Sequence, residues 1–231
     1  MTKKAVAVVS GGMDSTVLVY QLRDEGYDVT MLSVDYGQKH RVELDHARRT
    51  ATKFGLTHHI ADLRGITQLI SKSSLTSDQD VPDGHYAEDN MKQTVVPNRN
   101  SIMMNVAIGF AITIGAEVVA TAIHSGDHFI YPDCRPEFVE TLNALAVTAN
   151  EGFLPNNFHV YAPYVHIPKD AIAEIGDRLG VQWEDTWSCY KGGEKHCGSC
   201  GTCYERREAF TLAGVEDPTE YLAEPEYADP R

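Results

Sequence analysis

The sequence predicts an α/β protein in which a parallel sheet is covered by helices on both faces. Two observations carry this prediction: short apolar runs alternate with segments of helical period, and a glycine pair directly follows the first run. Strand–helix–strand units joined by right-handed crossovers make consecutive strands parallel. Ligands bind at the carboxyl ends of the strands in such sheets, so we expect the functional residues there.

Five strands are predicted from short apolar runs. Residues 5–9 are continuously apolar, as in a strand buried on both faces, and residues 29–34 form the next such run. A weaker run predicts a third strand at 58–61. Valine-containing runs predict the last two strands at 118–123 and 160–165.

Five helices are predicted between and after these strands. Apolar residues recur at helical spacing in 16–23, and residues 40–54 form a polar amphipathic segment. Residues 100–114 predict an apolar helix, and 136–149 begin with a proline, which suits the first helical turn. The last predicted helix is 171–179.

The chain is predicted to have two parts. Residues 1–180 carry the strand and helix pattern, whereas 181–231 form a small helical region that holds four of the five cysteines and ends in a loose tail. Residues 65–98 interrupt the pattern because they are rich in Ser, Asp, Gln, Asn and Pro. We expect a long loop or lid there.

Composition limits the classes of partner. The 231 residues include 33 acidic and 20 basic side chains, which gives a formal net charge of −13. This balance disfavours nonspecific binding to nucleic acid or to an anionic membrane. No apolar run approaches the roughly 18–20 residues of a membrane helix, and the N-terminal run ends at Ser10, too early for a signal peptide. We therefore expect a cytoplasmic protein.

A phosphate-binding turn is predicted at residues 10–15, which read Ser-Gly-Gly-Met-Asp-Ser. The two glycines permit a sharp turn and let backbone N–H groups approach a ligand. Ser15 and Thr16 lie where the first helix begins, so its unpaired N–H groups and positive dipole face the turn. The pattern lacks the Gly-Lys-Ser/Thr of the Walker loop and the third glycine of the dinucleotide fingerprint. A plain strand-to-helix turn is the alternative.

The C-terminal region contains a predicted metal site. Its four cysteines are Cys189, Cys197, Cys200 and Cys203. The Cys-x-x-Cys-x-x-Cys run lets thiolates converge on one ion, and four thiolates complete a closed tetrahedral zinc site with a structural role. In a chain without a signal peptide such crowding favours metal binding over disulfides. An iron–sulfur cluster, free thiols or His196 as a rival ligand are the alternatives.

Five segments in this order resemble the QueC family of 7-cyano-7-deazaguanine synthases, within the PP-loop ATP pyrophosphatase superfamily. They are residues 10–16, 35–41 (Asp-Tyr-Gly-Gln-Lys-His-Arg), 96–100 (Val-Pro-Asn-Arg-Asn), 131–138 (Tyr-Pro-Asp-Cys-Arg-Pro-Glu-Phe) and the four-cysteine run. The resemblance spans residues 4 to about 215. It implies a Rossmann-like, adenine-nucleotide α-hydrolase-like fold.

The resemblance also implies the reaction. Family members convert 7-carboxy-7-deazaguanine and ammonia to the nitrile. ATP, used with Mg²⁺, adenylates first the carboxylate and then the amide, and AMP and pyrophosphate are released. One structural zinc ion per chain and a homodimer are implied as well. The alternatives are a paralogue that stops at the amide or passes the adenylate to another nucleophile, a tRNA thiolase, and a zinc-stapled nucleotide-binding module.

ATP-binding residues are carried over from the family motif to the first strand, the loop and the first helix. They are Val9, Ser10, Gly11, Gly12, Met13, Asp14, Ser15, Thr16, Val17, Leu18 and Val19. Asp14, Ser15 and Lys169 are assigned to catalysis. Lys169 starts a helix near a strand end, where a cation neutralises phosphate charge, and a solvated surface lysine is the alternative. Met13 replaces the glutamine typical of the family.

Substrate binding is assigned to Arg99, Tyr131, Asp133 and Arg135. The Asp133 carboxylate would accept hydrogen bonds from the amidine edge of the deazaguanine, and Arg135 would pair with the substrate carboxylate. The alternatives are an N-terminal surface charge for Arg99 and a surface turn for the other two.

Two further features depart from the family pattern. Asn98 stands where glycine is typical of the family, and the stretch containing His124, Asp127 and His128 also differs. We expect this stretch to line the pocket, and we predict no metal site there. The lone Cys134 is expected to pack and not to act as a nucleophile.

Overall fold

The computed structural model describes residues 2–70, 73–86 and 89–223 and confirms the predicted α/β class. Five parallel strands form one sheet in the order β3-β2-β1-β4-β5. The strands are β1 Lys4–Val8, β2 Asp28–Asp35, β3 His58–Asp62, β4 Val118–Ala120 and β5 His159–Tyr161. The central strand β1 pairs with both β2 and β4, so Ala5 lies beside Val29 and Val118.

Seven α-helices lie within the described residues. They are α1 Met13–Asp24, α2 Glu43–Phe54, α3 Arg64–Ile70, α4 Arg99–Ile114, α5 Pro136–Ala149, α6 Lys169–Arg178 and α7 Gly201–Ala213. Short 3₁₀ turns occur at Asp89–Thr94, Ser125–Phe129, Pro132–Cys134 and Trp183–Asp185. The predicted helix at 136–149 has the bounds of α5, and the other four predicted helices differ by one to three residues at their ends.

Two predicted strands are shorter in the structure than in the sequence pattern. The prediction of a strand at 160–165 is wrong after Tyr161, because Pro163 lacks the N–H group that a sheet ladder needs. The predicted strand at 118–123 ends at Ala120, and the chain beyond it lines the cavity described below.

The interval 65–98 is not loop throughout. It begins inside α3 and ends after the 3₁₀ turn Asp89–Thr94. The Oδ1 atom of Asp62 accepts a hydrogen bond from the Arg64 backbone N–H (3.1 Å), which satisfies a free donor at the start of α3. The sequence analysis missed this helix because seven residues give too short a window for helical period.

Helices cover both faces of the sheet, as predicted. On one face α1, α2 and α6 form a core that contains Leu18 and Ile172, and on the other α4 and α5 form a core that contains Ile108 and Leu142. Each such buried aliphatic side chain contributes about 1.5–3 kcal/mol. Phe210 of α7 packs into the first core, so the C-terminal region is joined directly to the sheet domain.

We expect opposite effects from alanine at two helical glycines. A Cβ atom at Gly176 of α6 would lie 2.2 Å from the Trp183 ring and 2.7 Å from Val17, whereas none of the atoms described lies within 4 Å of a Cβ at Gly109 of α4. Gly176→Ala should lower the free energy of unfolding by about 1–3 kcal/mol through overpacking. Gly109→Ala should raise it by about 0.5–1 kcal/mol through helix propensity. Urea unfolding of both variants and the parent under the same conditions measures this, and a Gly176→Ala variant at least as stable as the parent would contradict it.

Candidate functional site

A cavity lies at the carboxyl ends of β1, β2 and β4, where the fold predicts function. Ser10, Gly12, Asp14 and Ser15 of the loop after β1 form one wall, and Arg99 at the start of α4 lies in another. The sheet therefore brings the predicted phosphate loop and a predicted substrate-binding residue to the same space.

The conformation of the phosphate loop requires glycine at position 11. Gly11 has a φ of +100°, and a Cβ atom there would lie 2.0 Å from the Glu43 carbonyl oxygen of α2. The hydroxyl of Ser15 accepts hydrogen bonds from the backbone N–H groups of Ser10 and Gly11, both at 3.3 Å. This hydroxyl therefore fixes the shape of the loop. The first turn of α1, where Asp14 and Ser15 line the cavity, supplies the backbone N–H groups that suit an anionic phosphate.

Five of the eleven predicted ATP-binding residues line the cavity, and the other six do not. Among those six, Gly11 shapes the loop, and Met13 and Thr16 are buried at the start of α1. Val9 lines the cavity together with the loop residues named above. Val17, Leu18 and Val19 are fully buried in the core that α1 forms with α6 and the sheet. These three residues fix the position of α1, and their side chains do not line the cavity.

Lys169 is largely enclosed and lies against two carboxylates. Its Nζ atom lies 3.1 Å from Asp14 Oδ2 and 2.8 Å from Glu205 Oε2. Burial alone would lower the pKa of Lys169, but Asp14 and Glu205 outweigh it and raise the pKa above its usual range. Lys169 is therefore a charged, ordered group beside the phosphate loop, and the alternative of a solvated surface lysine is wrong.

His124 and Asp127 belong to the same cluster. The His124 Nε2 atom lies 3.5 Å from Asp127 Oδ2 and 3.9 Å from Asp14 Oδ2 and from Glu205 Oε1. Asp127 lines the cavity, as predicted for this stretch, whereas Glu205 was missed by the sequence analysis. No local motif marks Glu205, because it reaches the site only through the packing of α7 on α6.

Arg99 lies among tyrosines and is not a simple surface charge. Its guanidinium is 5.8 Å from the centre of the Tyr131 ring and hydrogen-bonds Tyr36. Burial opposes the charge of Arg99, yet Tyr36 and Tyr190 are among the neighbours that raise its pKa above the usual value. A partly buried cation with aromatic walls is suited to a carboxylate or phosphate ligand.

Two ionisable groups of the same cavity are kept neutral by burial. Burial raises the pKa of Glu43 to about 8. Burial, together with the charge of Arg99, lowers the pKa of His40 to about 3. The Glu43 Oε1 atom accepts a hydrogen bond from the Gln38 side chain at 3.0 Å. The cavity therefore offers an uncharged acid and an uncharged imidazole at pH 7.

The other predicted substrate-binding residues have structural partners. Asp133 Oδ2 accepts a hydrogen bond from the Asn100 backbone N–H (3.1 Å) at the start of α4. Arg135 is exposed, and its Nε atom donates to the His128 carbonyl oxygen at 2.9 Å. Neither side chain lines the cavity. The chain turns between them, so that Cys134 faces inward and its neighbours do not.

The four C-terminal cysteines converge as the spacing predicts. Their Sγ atoms all lie within 4.8 Å of one another, with 3.5 Å between Cys200 and Cys203 and 3.9 Å between Cys197 and Cys203. Metal–sulfur bonds of about 2.3 Å in tetrahedral geometry place sulfurs about 3.8 Å apart, so this set fits a single ion. His196 is not a rival ligand, because its Nε2 atom accepts the Ser188 backbone N–H at 3.0 Å.

The cysteine centre begins the helix that carries Glu205. Cys200 is the N-cap of α7, and Cys203 lies in its first turn. Arg206, which is fully buried, donates to Thr186 Oγ1 at 2.7 Å and pairs with Asp217 at 3.1 Å. These contacts fix the rotation of α7 and so direct the Glu205 carboxylate toward Lys169.

Comparison with known proteins gives the family. Residues 4–214 match the family described as queuosine biosynthesis protein QueC. The chain belongs to the QueC family. Two curated relatives are each named 7-cyano-7-deazaguanine synthase: one from Ruegeria pomeroyi is 54% identical over 97% of this chain and 96% of its own length. The other, from Rhizobium johnstonii, is 52% identical over 94% of this chain and 92% of its own length.

A solved structure supports the fold. The U34-tRNA thiolase NcsA from Methanococcus maripaludis aligns with a TM-score of 0.50 and 14% identity, covering 98% of this chain and 80% of that one. At this identity the likeness concerns the fold alone. It agrees with the predicted Rossmann-like, adenine-nucleotide α-hydrolase-like architecture of this QueC member.

We expect Glu43 to make stability fall as pH rises. The pKa of Glu43 is about 8 in the folded chain against an ordinary value of 4.5. The contribution of neutral Glu43 to the free energy of unfolding is complete below pH 4.5, the ordinary pKa. It is lost as pH rises through the folded-state pKa, by at most about 1.4 kcal/mol per pH unit. Glu43→Gln should therefore flatten the decrease in unfolding free energy between pH 5 and 8, as followed by urea unfolding. Asp45→Asn, which changes an exposed carboxylate on the same helix, is the control. Parallel curves of unfolding free energy against pH for the parent and Glu43→Gln would contradict the expectation.

Proposed function

We propose that this chain is a 7-cyano-7-deazaguanine synthase. It converts 7-carboxy-7-deazaguanine and ammonia to the nitrile in two ATP-dependent activations that release AMP and pyrophosphate. The observation that carries the proposal is the 54% identity to a relative of that name over nearly the whole of both chains. The phosphate loop and Arg99 line the cavity, and Lys169 lies beside Asp14 of that loop; these are the groups that such chemistry needs.

The physical demand of the reaction explains the proposed roles. A carboxylate is a poor acylating agent until one oxygen leaves as part of a good leaving group, here AMP. The N–H groups of residues 13–15, in the first turn of α1, would bind the phosphates, and Lys169, held by Asp14, would stabilise negative charge that develops there. Mg²⁺ bound with ATP supplies further neutralisation of the phosphates. Ser15 keeps the loop in the required shape.

Arg99 is proposed to hold the substrate carboxylate. It is the arginine that lines the cavity, and the tyrosines around it limit competing water. Tyr131 supports this position, because its hydroxyl lies 2.6 Å from Thr94 Oγ1 and its ring faces the guanidinium. Asp133 would act by capping α4, and Arg135 by fixing the turn after β4.

We propose zinc at the cysteine centre, with a structural role. Thiolates are preferred zinc ligands, and four of them leave no open position for a substrate. The sulfur spacing suits one ion better than a larger cluster. Residues 181–231 would thus be the metal-stapled part of the chain, and 1–180 would carry the nucleotide site.

A homodimer, a cytoplasmic location and small-molecule partners complete the proposal. Among residues 2–70, 73–86 and 89–223, no helix combines the length and hydropathy that crossing a bilayer requires. Leu145 and Val147 of α5 and Phe153, which follows α5 in the sequence, are exposed apolar side chains, which supports contact with a second copy.

The products of the reaction test the proposed function. The zinc-loaded chain with 7-carboxy-7-deazaguanine, ATP, Mg²⁺ and ammonium should give the nitrile, with about two AMP per nitrile because each of the two activations consumes one ATP. Mass spectrometry with nucleotide analysis measures both. An amide as the final product would instead support the alternative paralogue, and no substrate-dependent AMP would refute the synthase.

Arg99→Met and Arg135→Met form a matched pair for this assay. Loss of a charge-assisted contact should lower kcat/KM of Arg99→Met by about 10- to 100-fold. Arg135→Met should stay within about twofold of the parent, since its side chain is exposed. A large loss of kcat/KM in Arg135→Met with little change in Arg99→Met would instead assign the substrate carboxylate contact to Arg135.

Metal content tests the cysteine centre separately. The purified chain should contain about one zinc ion, and Cys197→Ser should lose it together with thermal stability, since metal binding is coupled to folding. Cys134→Ser is the control, because Cys134 lies outside the centre and lines the cavity. About one iron–sulfur cluster per chain, or full zinc in Cys197→Ser, would overturn the assignment.

A further inference from the structure

Glu43 and His40 form a polar pair in the cavity to which the proposed contacts with ATP and the substrate carboxylate give no role. Both side chains line the cavity, although they are only 8% and 4% exposed. They belong to the segment after β2 and to the start of α2, whereas Arg99 and the phosphate loop approach the cavity from other elements. Buried polar groups in folded proteins have partners, so this pair calls for a ligand or a structural reason.

The Glu43 carboxyl group is oriented by Gln38. The Gln38 side chain, which is 1% exposed, donates through Nε2 to Glu43 Oε1 at 3.0 Å and to the Val34 carbonyl oxygen at 3.2 Å. Its own Oε1 atom accepts the Tyr36 backbone N–H at 3.0 Å. Because Gln38 is fixed at both ends and holds one carboxyl oxygen of Glu43, the other oxygen, Oε2, is left toward His40.

The gap between Glu43 and His40 suits one small hydrogen-bonding molecule. The Glu43 Oε2 atom lies 3.6 Å from His40 Nε2. This distance is too long for a hydrogen bond between the two atoms, yet one nitrogen atom about 2.9 Å from each would contact both. The other imidazole nitrogen, Nδ1, is buried without a hydrogen-bond partner among the described residues. The imidazole therefore has unused hydrogen-bonding capacity.

The electrostatics of the pair favour a ligand that is uncharged when bound. Burial raises the pKa of Glu43 to about 8 against the opposing effects of Gln38 and Arg99, and burial with Arg99 lowers the pKa of His40 to about 3. An ammonium ion beside a carboxylate and an ammonia molecule beside the acid differ only in the position of one proton. Because separated charges are costly in a buried site, burial favours ammonia, the nucleophilic form.

The pair also lies near the groups that would hold the reacting atoms. The charge of Arg99, proposed to bind the substrate carboxylate, acts on both Glu43 and His40. The phosphate loop lines the same cavity, and the Glu43 backbone carbonyl lies against Gly11. A nucleophile held by the pair therefore shares one cavity with the carbon that ATP activates.

We propose that Glu43 and His40 form the ammonia subsite and that the Glu43 carboxylate accepts a proton from the incoming ammonium ion. This inference rests on the proposed function. Ammonium gives one proton to Glu43 Oε2, and the freed lone pair of the nitrogen forms the C–N bond to the adenylated carboxyl carbon. The bond from that carbon to the AMP oxygen breaks, and its electron pair leaves with AMP. The nitrogen then loses a second proton to water, which gives the neutral amide.

Adenylation and ammonia use can be measured separately. Exchange of pyrophosphate into ATP with 7-carboxy-7-deazaguanine reports adenylation, which needs no ammonia. In Glu43→Gln this exchange should stay within about threefold of the parent, because glutamine has the shape of the neutral acid, whereas kcat/KM for ammonium should fall about 100-fold. Asp45→Asn, which changes an exposed carboxylate on the same helix, should keep both activities. Equal losses of exchange and ammonium use in Glu43→Gln would overturn the proposal.

Hydroxylamine distinguishes proton acceptance from a structural role. This nucleophile is uncharged at neutral pH, so it needs no proton acceptor before it attacks. Glu43→Gln should therefore form the hydroxamate within about threefold of the parent rate, although it uses ammonium poorly. A loss with hydroxylamine as large as the loss with ammonium would refute proton acceptance by Glu43.

His40→Phe tests the second member of the pair. Phenylalanine keeps a ring against Tyr190 but removes both ring nitrogens, so the KM for ammonium should rise about tenfold at an unchanged KM for ATP. A parent-like KM for ammonium would refute the two-residue subsite.

The same assays separate this inference from the proposed function. A parent chain without substrate-dependent exchange and AMP would refute the synthase and the ammonia subsite with it. A parent that makes the nitrile, with a Glu43→Gln variant that uses ammonium normally, would keep the synthase and refute the subsite alone. If that variant also had a raised KM for 7-carboxy-7-deazaguanine, Glu43 would be assigned to the substrate ring instead.

Discussion

The ion pairs of Lys169 with Asp14 and Glu205 are the interaction on which the site depends. They join the phosphate loop, the start of α6 and the middle of α7, three segments that are far apart in the sequence. The pairs are mostly buried, so removal of one partner would leave a charge without compensation and would be far more costly than loss of a surface pair. The C-terminal region therefore contributes a charged group, Glu205, to the site and does not only hold other residues in place.

The fold makes this interaction possible by placing α6 and α7 on the same face as α1. Ile172 and Phe210 pack into the core that α1 forms with the sheet, which brings the polar ends of these helices together. The cysteine centre sets where α7 starts, and Arg206 sets its rotation. Packing and the cysteine centre thus position Glu205, a residue with no motif of its own.

Sequence reasoning found the features that depend on local pattern. The parallel sheet, the loop at 10–15 and the convergence of the cysteines follow from periodicity, glycine placement and spacing. Contacts between segments that are distant in the sequence could not be predicted from local pattern, as Glu205 shows. The assignments of Asp133 and Arg135 show the related limit: adjacency in sequence to Cys134 gave no information on which side chains face the cavity.

The conformation of the phosphate loop depends on contacts with two segments that lie elsewhere in the sequence. The Glu43 carbonyl of α2 presses against Gly11, and the Gly11 carbonyl accepts the Trp187 backbone N–H at 2.9 Å. If residues 9–19 were moved into another strand–helix unit, their sequence would be unchanged, but the contacts of Gly11 with Glu43 and Trp187 would be lost. For protein engineering the transplantable module is therefore the loop together with α2 and the segment that leads into the cysteine centre.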